Sequence, residues 1–184
     1  MDVDYRLAFE MAPVGLALSR NRTMVDCNRH LCEMFGAAPE QLIGQSFQLL
    51  YPSADEFERT GARIAPILNR RGTYSDDRIM KRLEGRFKGD TFWCHVTGRA
   101  LNQEAPHEAG IWTFEDLSAS RPVKAELTGR EREVAALLLD GLTSKEIGRT
   151  LDISHRTVEI YRAGLMRKYQ ASNTGDLVHK LMSG

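Results

Sequence analysis

The order of apolar and polar positions divides the chain into a front part with strand-like runs and a tail with helical spacing. Five front runs have the composition and alternation of strands. Alternation is clearest in the fourth run, where Phe92, Cys94, Val96 and Gly98 alternate with polar or aromatic neighbours, which predicts a sheet with one covered face. The runs are Gly15–Ser19, Met24–Cys27, Tyr74–Leu83, Thr91–Leu101 and Gly110–Leu117.

Between the second and third runs, the pattern and its stop signals predict several short helices. One helix runs from Asn28 to Phe35 and stops at Gly36. A shorter helical turn opens at Pro39, and a longer helix begins with a capping box at Ser53 and runs toward Leu68. Three further features complete the front part: an amphipathic segment with Val3, Leu7 and Met11, a turn at Arg20–Arg22, and a hairpin connection near Lys88–Asp90.

The tail contains three helix starts that can be located from the residues alone. Thr128 with Glu131 and Thr143 with Glu146 have the spacing of capping boxes, and Ser154 is a further helix cap. Only two residues, at positions 152–153, separate the second helix from the third. Two helices joined by so short a turn predict a helix-turn-helix unit.

The third tail helix, expected over 155–169, has two different faces. Val158, Tyr161 and Leu165 form an apolar stripe that is expected to pack on the first two tail helices. The opposite face combines side chains that read base edges with small residues, as a helix in a DNA major groove requires. That outward stripe is Arg156, Glu159, Ile160, Arg162, Ala163 and Arg167.

The run from Leu127 to Val178 resembles the LuxR/FixJ-type helix-turn-helix over its whole length. The resemblance lies in the opening LT-x-REREV, the KEI after the second cap and the segment SHRTVEIYRA with a following M-x-K. It implies that four residues of the third helix meet DNA bases and that Thr157 and Lys168 contact phosphates. Gly164, Tyr169 and Asn173–Gly175 depart from the family pattern. The four base-facing residues are Arg156, Glu159, Arg162 and Ala163; Ile160 and Arg167 share their face.

The front part resembles a PAS domain in its element order and in the segments APVGLAL, VDCN, PEQLIGQSF, GDTFWCHVTGRAL and WTFEDLS. The resemblance implies an α+β fold, a five-stranded antiparallel sheet with helices on one face, which precedes an all-α four-helix domain. We therefore expect a sensor or dimerisation domain over 1–118, a linker over 119–126 and a DNA-binding domain over 127–184.

PAS domains enclose a small pocket or a filled core, and the resemblance supplies candidates for the inner face. His30 is of special interest, since a buried imidazole needs a hydrogen-bond partner and can anchor an acid or phenol. It can equally be a satisfied core histidine. The candidate pocket residues are His30, Met34, Phe47, Ile64, Phe92, Cys94 and Trp112; Phe9, Cys27, Leu42 and Leu68 are further inner-face candidates.

Three observations limit the cofactor chemistry of the front part. Phe47 occupies the position at which light-sensing flavin relatives carry the reactive cysteine, which excludes adduct photochemistry. The helix that starts at Ser53 contains no histidine for haem. The cysteine and histidine positions do not converge on a tetrahedral metal site, so no metal and no cofactor is expected, although a small organic ligand remains open.

The composition agrees with a cytoplasmic, non-enzymatic regulator. Lys and Arg equal Asp and Glu at 25 each, with a mild basic excess in the tail, so non-specific attraction to DNA is weak and a homodimer reading two half-sites is expected. No membrane segment, signal peptide, phosphate loop or nucleophile motif is visible, and the three cysteines indicate reduced thiols. Two hypotheses remain: a one-component transcription regulator whose front domain senses a small molecule, or a DNA-binding protein whose front domain serves only dimerisation or docking. The ligand, the sign of regulation, the operator and the dimer geometry cannot be read from the sequence.

Overall fold

A computed structural model describes residues 4–83 and 90–183. The chain divides into two compact units, Met1–Asp116 and Leu117–Gly184.

The front unit is built on a five-stranded antiparallel sheet in the order β2-β1-β5-β4-β3. The predicted strands are confirmed, with ends that differ by one or two residues. Their bounds are β1 Gly15–Arg20, β2 Thr23–Cys27, β3 Thr73–Lys81, β4 Thr91–Ala100 and β5 Ala109–Asp116.

Strands β1 and β2 are joined by a two-residue turn. Asn21 and Arg22 both have positive φ, at 49° and 62°, as a type I′ hairpin turn requires. Arginine seldom adopts this left-handed conformation, so Arg22 carries local backbone strain. Its side chain contacts Phe57 and Glu58, which lie on the longest helix of the unit.

The helices of the front unit begin and end at the residues that the caps predict. Asn28 is fully buried and caps the second helix, because its side-chain oxygen accepts from the N–H groups of Leu31 at 3.0 Å and Leu16 at 2.8 Å. Gly36, in left-handed conformation, ends that helix, and Ser53 caps the longest one. The helices are α1 Tyr5–Glu10, α2 Arg29–Phe35, α3 Pro39–Leu42 and α4 Ala54–Arg71, with a 3-10 turn at Phe47–Leu50.

The outer face of the sheet departs from the predicted alternation at one end. Trp93 was expected on the uncovered face, yet its side chain is fully buried. Ile79, its partner in the β3–β4 register, is buried as well. The sheet is therefore covered on both sides at this end of β3 and β4, and strand periodicity by itself does not show such local coverage.

Two sequence-based expectations fall at the edges of the described ranges. The hairpin connection lies mostly outside the described residues, which stop at Leu83 and resume at Asp90. Val3 also lies outside them, whereas Leu7 and Met11 are both exposed around α1.

The second unit contains four helices, as predicted. Both capping boxes are formed: in the first, the Thr128 hydroxyl accepts from the N–H of Glu131 at 3.3 Å and the carboxylate of Glu131 accepts from the N–H of Thr128 at 2.7 Å. The box of Thr143 and Glu146 has the same arrangement. The helices are α5 Gly129–Leu139, α6 Ser144–Leu151, α7 His155–Lys168 and α8 Thr174–Ser183.

The core of this unit lies where the apolar stripes meet. Val158 and Leu165 of α7 are fully buried, as are Val134 of α5 and Ile147 of α6, whereas Tyr161 is only half-buried. The stripe predicted for α7 thus faces inward.

Candidate DNA-binding face and ligand cavity

The turn between α6 and α7 leaves almost no space between the two helices. Asp152 adopts a left-handed conformation with φ of 52°, and the N–H of Ile153 donates to the carbonyl of Gly148 at 2.9 Å. A Cβ on Gly148 would lie 2.7 Å from the carbonyl oxygen of Ile153. Only glycine permits this approach, which fixes the angle at which α7 leaves the turn.

All eight residues singled out for DNA contact lie on α7. Six of them are exposed, and Ile160 is the most conspicuous because 65% of an isoleucine is open to solvent. Thr157 is half-buried and shares a hydrogen bond with the hydroxyl of the cap Ser154 at 2.8 Å. The exposed residues other than Lys168 are Arg156, Glu159, Ile160, Ala163 and Arg167.

Arg162 differs from its neighbours because its guanidinium is bonded within the unit. It donates to the hydroxyl of Ser144 at 2.6 Å, to the carboxylate of Glu159 at 2.7 Å and to the hydroxyl of Thr174. Ser144 is the first residue of α6 and Thr174 the first of α8. Arg162 therefore ties α7 to the starts of two neighbouring helices, and only 20% of its side chain is exposed.

Glu159 is held in place by the same group of side chains. The hydrogen bond from Ser144 lowers the pKa of Glu159 most, burial acts in the opposite direction, and the positive charge of Arg162 adds to the lowering. Glu159 is consequently an ionised acceptor at neutral pH, with half of its side chain exposed.

Lys168 is likewise bonded within the unit. Its ammonium group donates to the carboxylate of Glu131 at 2.7 Å and to the carbonyl of Glu126 at 2.8 Å. Burial acts to raise the pKa of Glu131, but the hydrogen bonds from Lys168 and Thr128 outweigh it and the pKa is lowered. Lys168 thus holds the carboxylate group of the capping box of α5 in place.

In the front unit, a cavity of about 40 Å³ lies between the sheet and α4. One ordered water needs roughly 10–15 Å³ of such space, so the cavity has room for a few waters or for a small organic molecule. Its walls are mostly aromatic, with polar groups at a few points. It is lined by Ser19, Arg22, Phe47, Tyr51, Phe57, Gly61, Ile64, Arg78, Val96, Pro106, His107, Trp112 and Phe114.

A buried polar network stands at one wall of the cavity. Arg78 donates to the carboxylate of Asp76 through Nε at 2.7 Å and also through a terminal nitrogen, while its other terminal nitrogen donates to the hydroxyl of Tyr51. Asp76 also accepts from the hydroxyl of Tyr74 at 2.8 Å and from Arg63 at 3.2 Å. Burial acts against the charge of Arg78, but the contributions of Asp76, Tyr51 and Tyr74 together outweigh it and raise the pKa of Arg78, so the guanidinium remains charged.

Trp112 forms another wall and is held there by polar and steric contacts. Its indole N–H donates to the hydroxyl of Ser19 at 3.0 Å. The ring lies directly over Gly98, where a Cβ would come within 2.3 Å of a ring atom. The absence of a side chain at Gly98 is what admits the indole to this position.

The rim of the cavity is closed by the strained turn residue Arg22. Its guanidinium stacks on the ring of Phe57 at 3.7 Å, donates to the carbonyl of that residue at 3.1 Å and pairs with Glu58 at 3.1 Å. His107 lies at the same rim, and burial together with the charge of Arg22 lowers its pKa. The strain at Arg22 therefore places a cation across the first turns of α4.

The structure distributes the seven candidate pocket residues over two places. Phe47, Ile64 and Trp112 line the cavity. Met34, Phe92 and Cys94 are buried in the packed core beside it, and His30 is half-buried on α2 away from the cavity. The polar cavity residues Tyr51 and Arg78 were not singled out in the sequence, although Arg78 shares the inward parity of Tyr74 and Met80 along β3.

The cysteines and possible metal ligands add no further site. Cys27 and Cys32 are buried thiols with their sulfur atoms 3.7 Å apart, and burial raises the pKa of Cys27 to about 12. Across residues 4–83 and 90–183, no group of three His, Cys, Asp or Glu side chains is placed to hold a metal ion. Within the same ranges, no helix has the length and apolar character that crossing a membrane demands.

Comparison with protein families assigns both units. Residues 13–119 match the model of the PAS domain, and residues 125–181 match that of the bacterial regulatory proteins of the luxR family. The transcriptional regulatory protein FixJ of Bradyrhizobium diazoefficiens is 37% identical over 100 residues, which are 54% of this chain and 47% of FixJ. The chain spans less than half the length of the curated relatives it matches first.

Two solved structures resemble the chain. The PAS domain of a LuxR-family transcriptional regulator from Burkholderia thailandensis, in complex with ethanol, is 58% identical, with a TM-score of 0.60 over 63% of this chain and 99% of that one. The VqmA dimer of Vibrio cholerae, a LuxR-type receptor, is 21% identical, with a TM-score of 0.56 over 99% of this chain and 88% of that one. The second likeness is one of fold.

Proposed function

The chain belongs to the PAS domain family and carries a LuxR-family regulatory domain after it, and from this premise we propose that it is a transcription regulator that binds double-stranded DNA through α7. The observation that carries the proposal is the outward face of α7. This face exposes arginine, an ionised glutamate and isoleucine on a helix whose opposite face is packed in the core.

Each exposed side chain has a partner in a DNA major groove. Arg156 can donate to O6 and N7 of guanine, Glu159 can accept from N4 of cytosine, and Ile160 can contact the methyl group of thymine. Ala163 lets the helix approach the base edges. Thr157, Arg167 and Lys168 are proposed phosphate contacts, with Lys168 sharing its charge with Glu131.

A homodimer is part of the proposal, because a weakly basic domain needs two half-sites for firm binding. On α8, Leu177 and Leu181 are fully buried within their own unit and are not free to pair with a second copy. Val178 and Met182 remain, half-buried and exposed respectively. They are the apolar residues of α8 available for pairing.

The test of DNA binding is selection of an operator from random duplexes with the full chain, followed by fluorescence anisotropy. Arg156→Ala is expected to weaken binding to the selected operator by about 5- to 150-fold, which corresponds to roughly 1–3 kcal/mol. Arg70→Ala, which removes the same charge from an exposed position of α4, is the matched control and should bind as the parent does. Failure to select any sequence, or equal affinities of the two variants, would refute the proposal.

For the front unit, we propose that the cavity binds a small organic molecule whose binding alters DNA affinity. The cavity supports this, and so does the ethanol complex of the Burkholderia domain. Docking without a ligand is the alternative. Native mass spectrometry and thermal shifts with a metabolite panel distinguish the two, because a protein that retains and responds to no small molecule has a docking domain.

Communication between the domains is proposed to run through the short connection at 117–128. A change of DNA affinity by roughly 1–3 kcal/mol on ligand binding suffices for regulation. A flexible Gly-Ser insertion between Ser118 and Arg121 should abolish this dependence on the ligand, while DNA binding itself persists. Such a regulator acts where the chromosome lies, so we propose a cytoplasmic location. We also propose that the chain has no catalytic activity.

A further inference from the structure

We propose that the cavity selects a small carboxylate of about the size of acetate, and that Tyr51 and Arg78 donate hydrogen bonds to it. This inference rests on the proposed sensing role of the front unit and specifies the chemical class of the ligand. Four features of the cavity point to the same class.

The first feature is the hydroxyl group of Tyr51. It accepts a hydrogen bond from Arg78, and among the described residues nothing accepts its own hydrogen. Burial raises the pKa of Tyr51, so the phenol stays protonated and remains a donor. A buried donor is almost always paired, which means that a ligand or a water accepts from it.

The second feature is the unused capacity of the Arg78 guanidinium. Of the five N–H groups that an arginine offers, one on each of its three nitrogens is engaged, by Asp76 or by Tyr51. Two remain, one on each terminal nitrogen of this cavity-lining residue. Tyr51 and Arg78 together present donors only, so the ligand group between them is an acceptor.

The third feature is the charge balance. Asp76 carries one negative charge and is shared by Arg63 and Arg78, which leaves a single positive charge in excess. At the rim, Arg22 is paired with Glu58. A monoanion compensates the excess, whereas an ammonium group would add a second positive charge and would find no free acceptor among Tyr51 and Arg78.

The fourth feature is the shape of the apolar wall. Phe47 meets Trp112 edge to face with ring centres 5.9 Å apart, and Tyr51 meets Phe57 in the same way at 5.3 Å. At these spacings the rings contact each other and leave no slot between them, so the free space is small. With about 40 Å³, which is room for about three waters, the cavity suits a ligand of a few non-hydrogen atoms and not an aromatic ring.

The test compares acetate, ethanol and ethylamine, which are similar in size, by isothermal titration calorimetry on the full chain. Acetate is expected to bind at least 10-fold more tightly than ethanol, with ethylamine weakest. Tyr51→Phe, which removes one oxygen atom, should weaken acetate binding about 10-fold, as the loss of a hydrogen bond to a charged group does. Tyr169→Phe is the matched control, because it removes the hydroxyl of a buried tyrosine in the second unit, and it should change acetate affinity by less than about threefold.

Circular dichroism of both variants establishes that they are folded. If ethylamine or ethanol binds as tightly as acetate, or Tyr51→Phe binds acetate as the parent does, the carboxylate assignment is wrong while sensing stands. If none of the three probes binds at millimolar concentration, the small-carboxylate class is refuted. Sensing is then judged separately by the native mass spectrometry described above.

Discussion

Replacing Arg162 with alanine should loosen the helical unit as well as weaken DNA binding. The change removes hydrogen bonds to Ser144 and Thr174, worth about 1 kcal/mol each, and an ion pair with the half-exposed Glu159, worth about 0.3–0.5 kcal/mol. Part of this loss is offset, because Nε of Arg162 is buried without a hydrogen-bond partner among the described residues. The expected net loss is about 1–2 kcal/mol.

In a domain of this size, that loss lowers the melting temperature by roughly 5–15 °C. Far-UV circular dichroism follows the helices of both units, whereas tryptophan fluorescence reports only the front unit, since the two tryptophans are Trp93 and Trp112. We therefore expect the dichroism transition to shift and the fluorescence transition to stay.

Arg156→Ala is the control for this experiment, because Arg156 is exposed on the same helix. It should leave both transitions in place and reduce only operator affinity. The reasoning is refuted if Arg162→Ala melts within about 2 °C of the parent and loses affinity to the same extent as Arg156→Ala. Arg162 would then contact DNA bases directly and contribute nothing to helix packing.

Three further outcomes are expected. Gly164→Ala should stabilise the second unit by up to about 1 kcal/mol in thermal melts, since alanine favours helix and the new Cβ would lie an ordinary 3.4 Å from the Glu131 carboxylate; a lower melting temperature would show that this contact is too tight. The stability that the unit gains from the hydrogen bonds of Glu131 with Lys168 and Thr128 is complete above the ordinary pKa of 4.5 and is lost as the pH falls through the lowered pKa of Glu131. In acid denaturation profiles, Lys168→Met should therefore lose less stability with falling pH than the parent does. Parallel profiles of the two proteins would count against the Lys168–Glu131 pair. The purified protein should show no absorption band beyond the aromatic range, because Phe47 replaces a flavin-reactive cysteine and α4 carries no histidine; a visible band would overturn the exclusion of haem and photoactive flavin.

The helix starts could be predicted because their signals are local. Thr128 and Glu131 are three residues apart, and their reciprocal hydrogen bonds need no distant partner. The five strands followed from period and turn residues in the same way. The hydrogen bonds of Arg162 within the unit could not be predicted. Their partners lie far along the chain and on two other helices: Ser144 is 18 residues before Arg162, and Thr174 is 12 residues after it.

The cavity could not be predicted from the sequence for the same reason. Inward parity along a strand identifies core positions such as Phe92, but which of them border an empty space depends on how α4 lies over the sheet. Arg78 has a polar side chain that a search for apolar core residues passes over. Its burial becomes intelligible only once Asp76 and Tyr51 are seen to satisfy its guanidinium.

Under the role proposed for α7, its division between exposed and bonded side chains sets a rule for transplanting DNA specificity between related regulators. Arg156, Ile160 and Ala163 can be exchanged for a relative's residues without disturbing the contacts of α7 with α6 and α8. Glu159 must be transferred together with Arg162, and Arg162 only with hydroxyl groups at positions 144 and 174. A graft that copies the outward stripe alone would transfer the proposed recognition helix without the side chains that hold it at its angle.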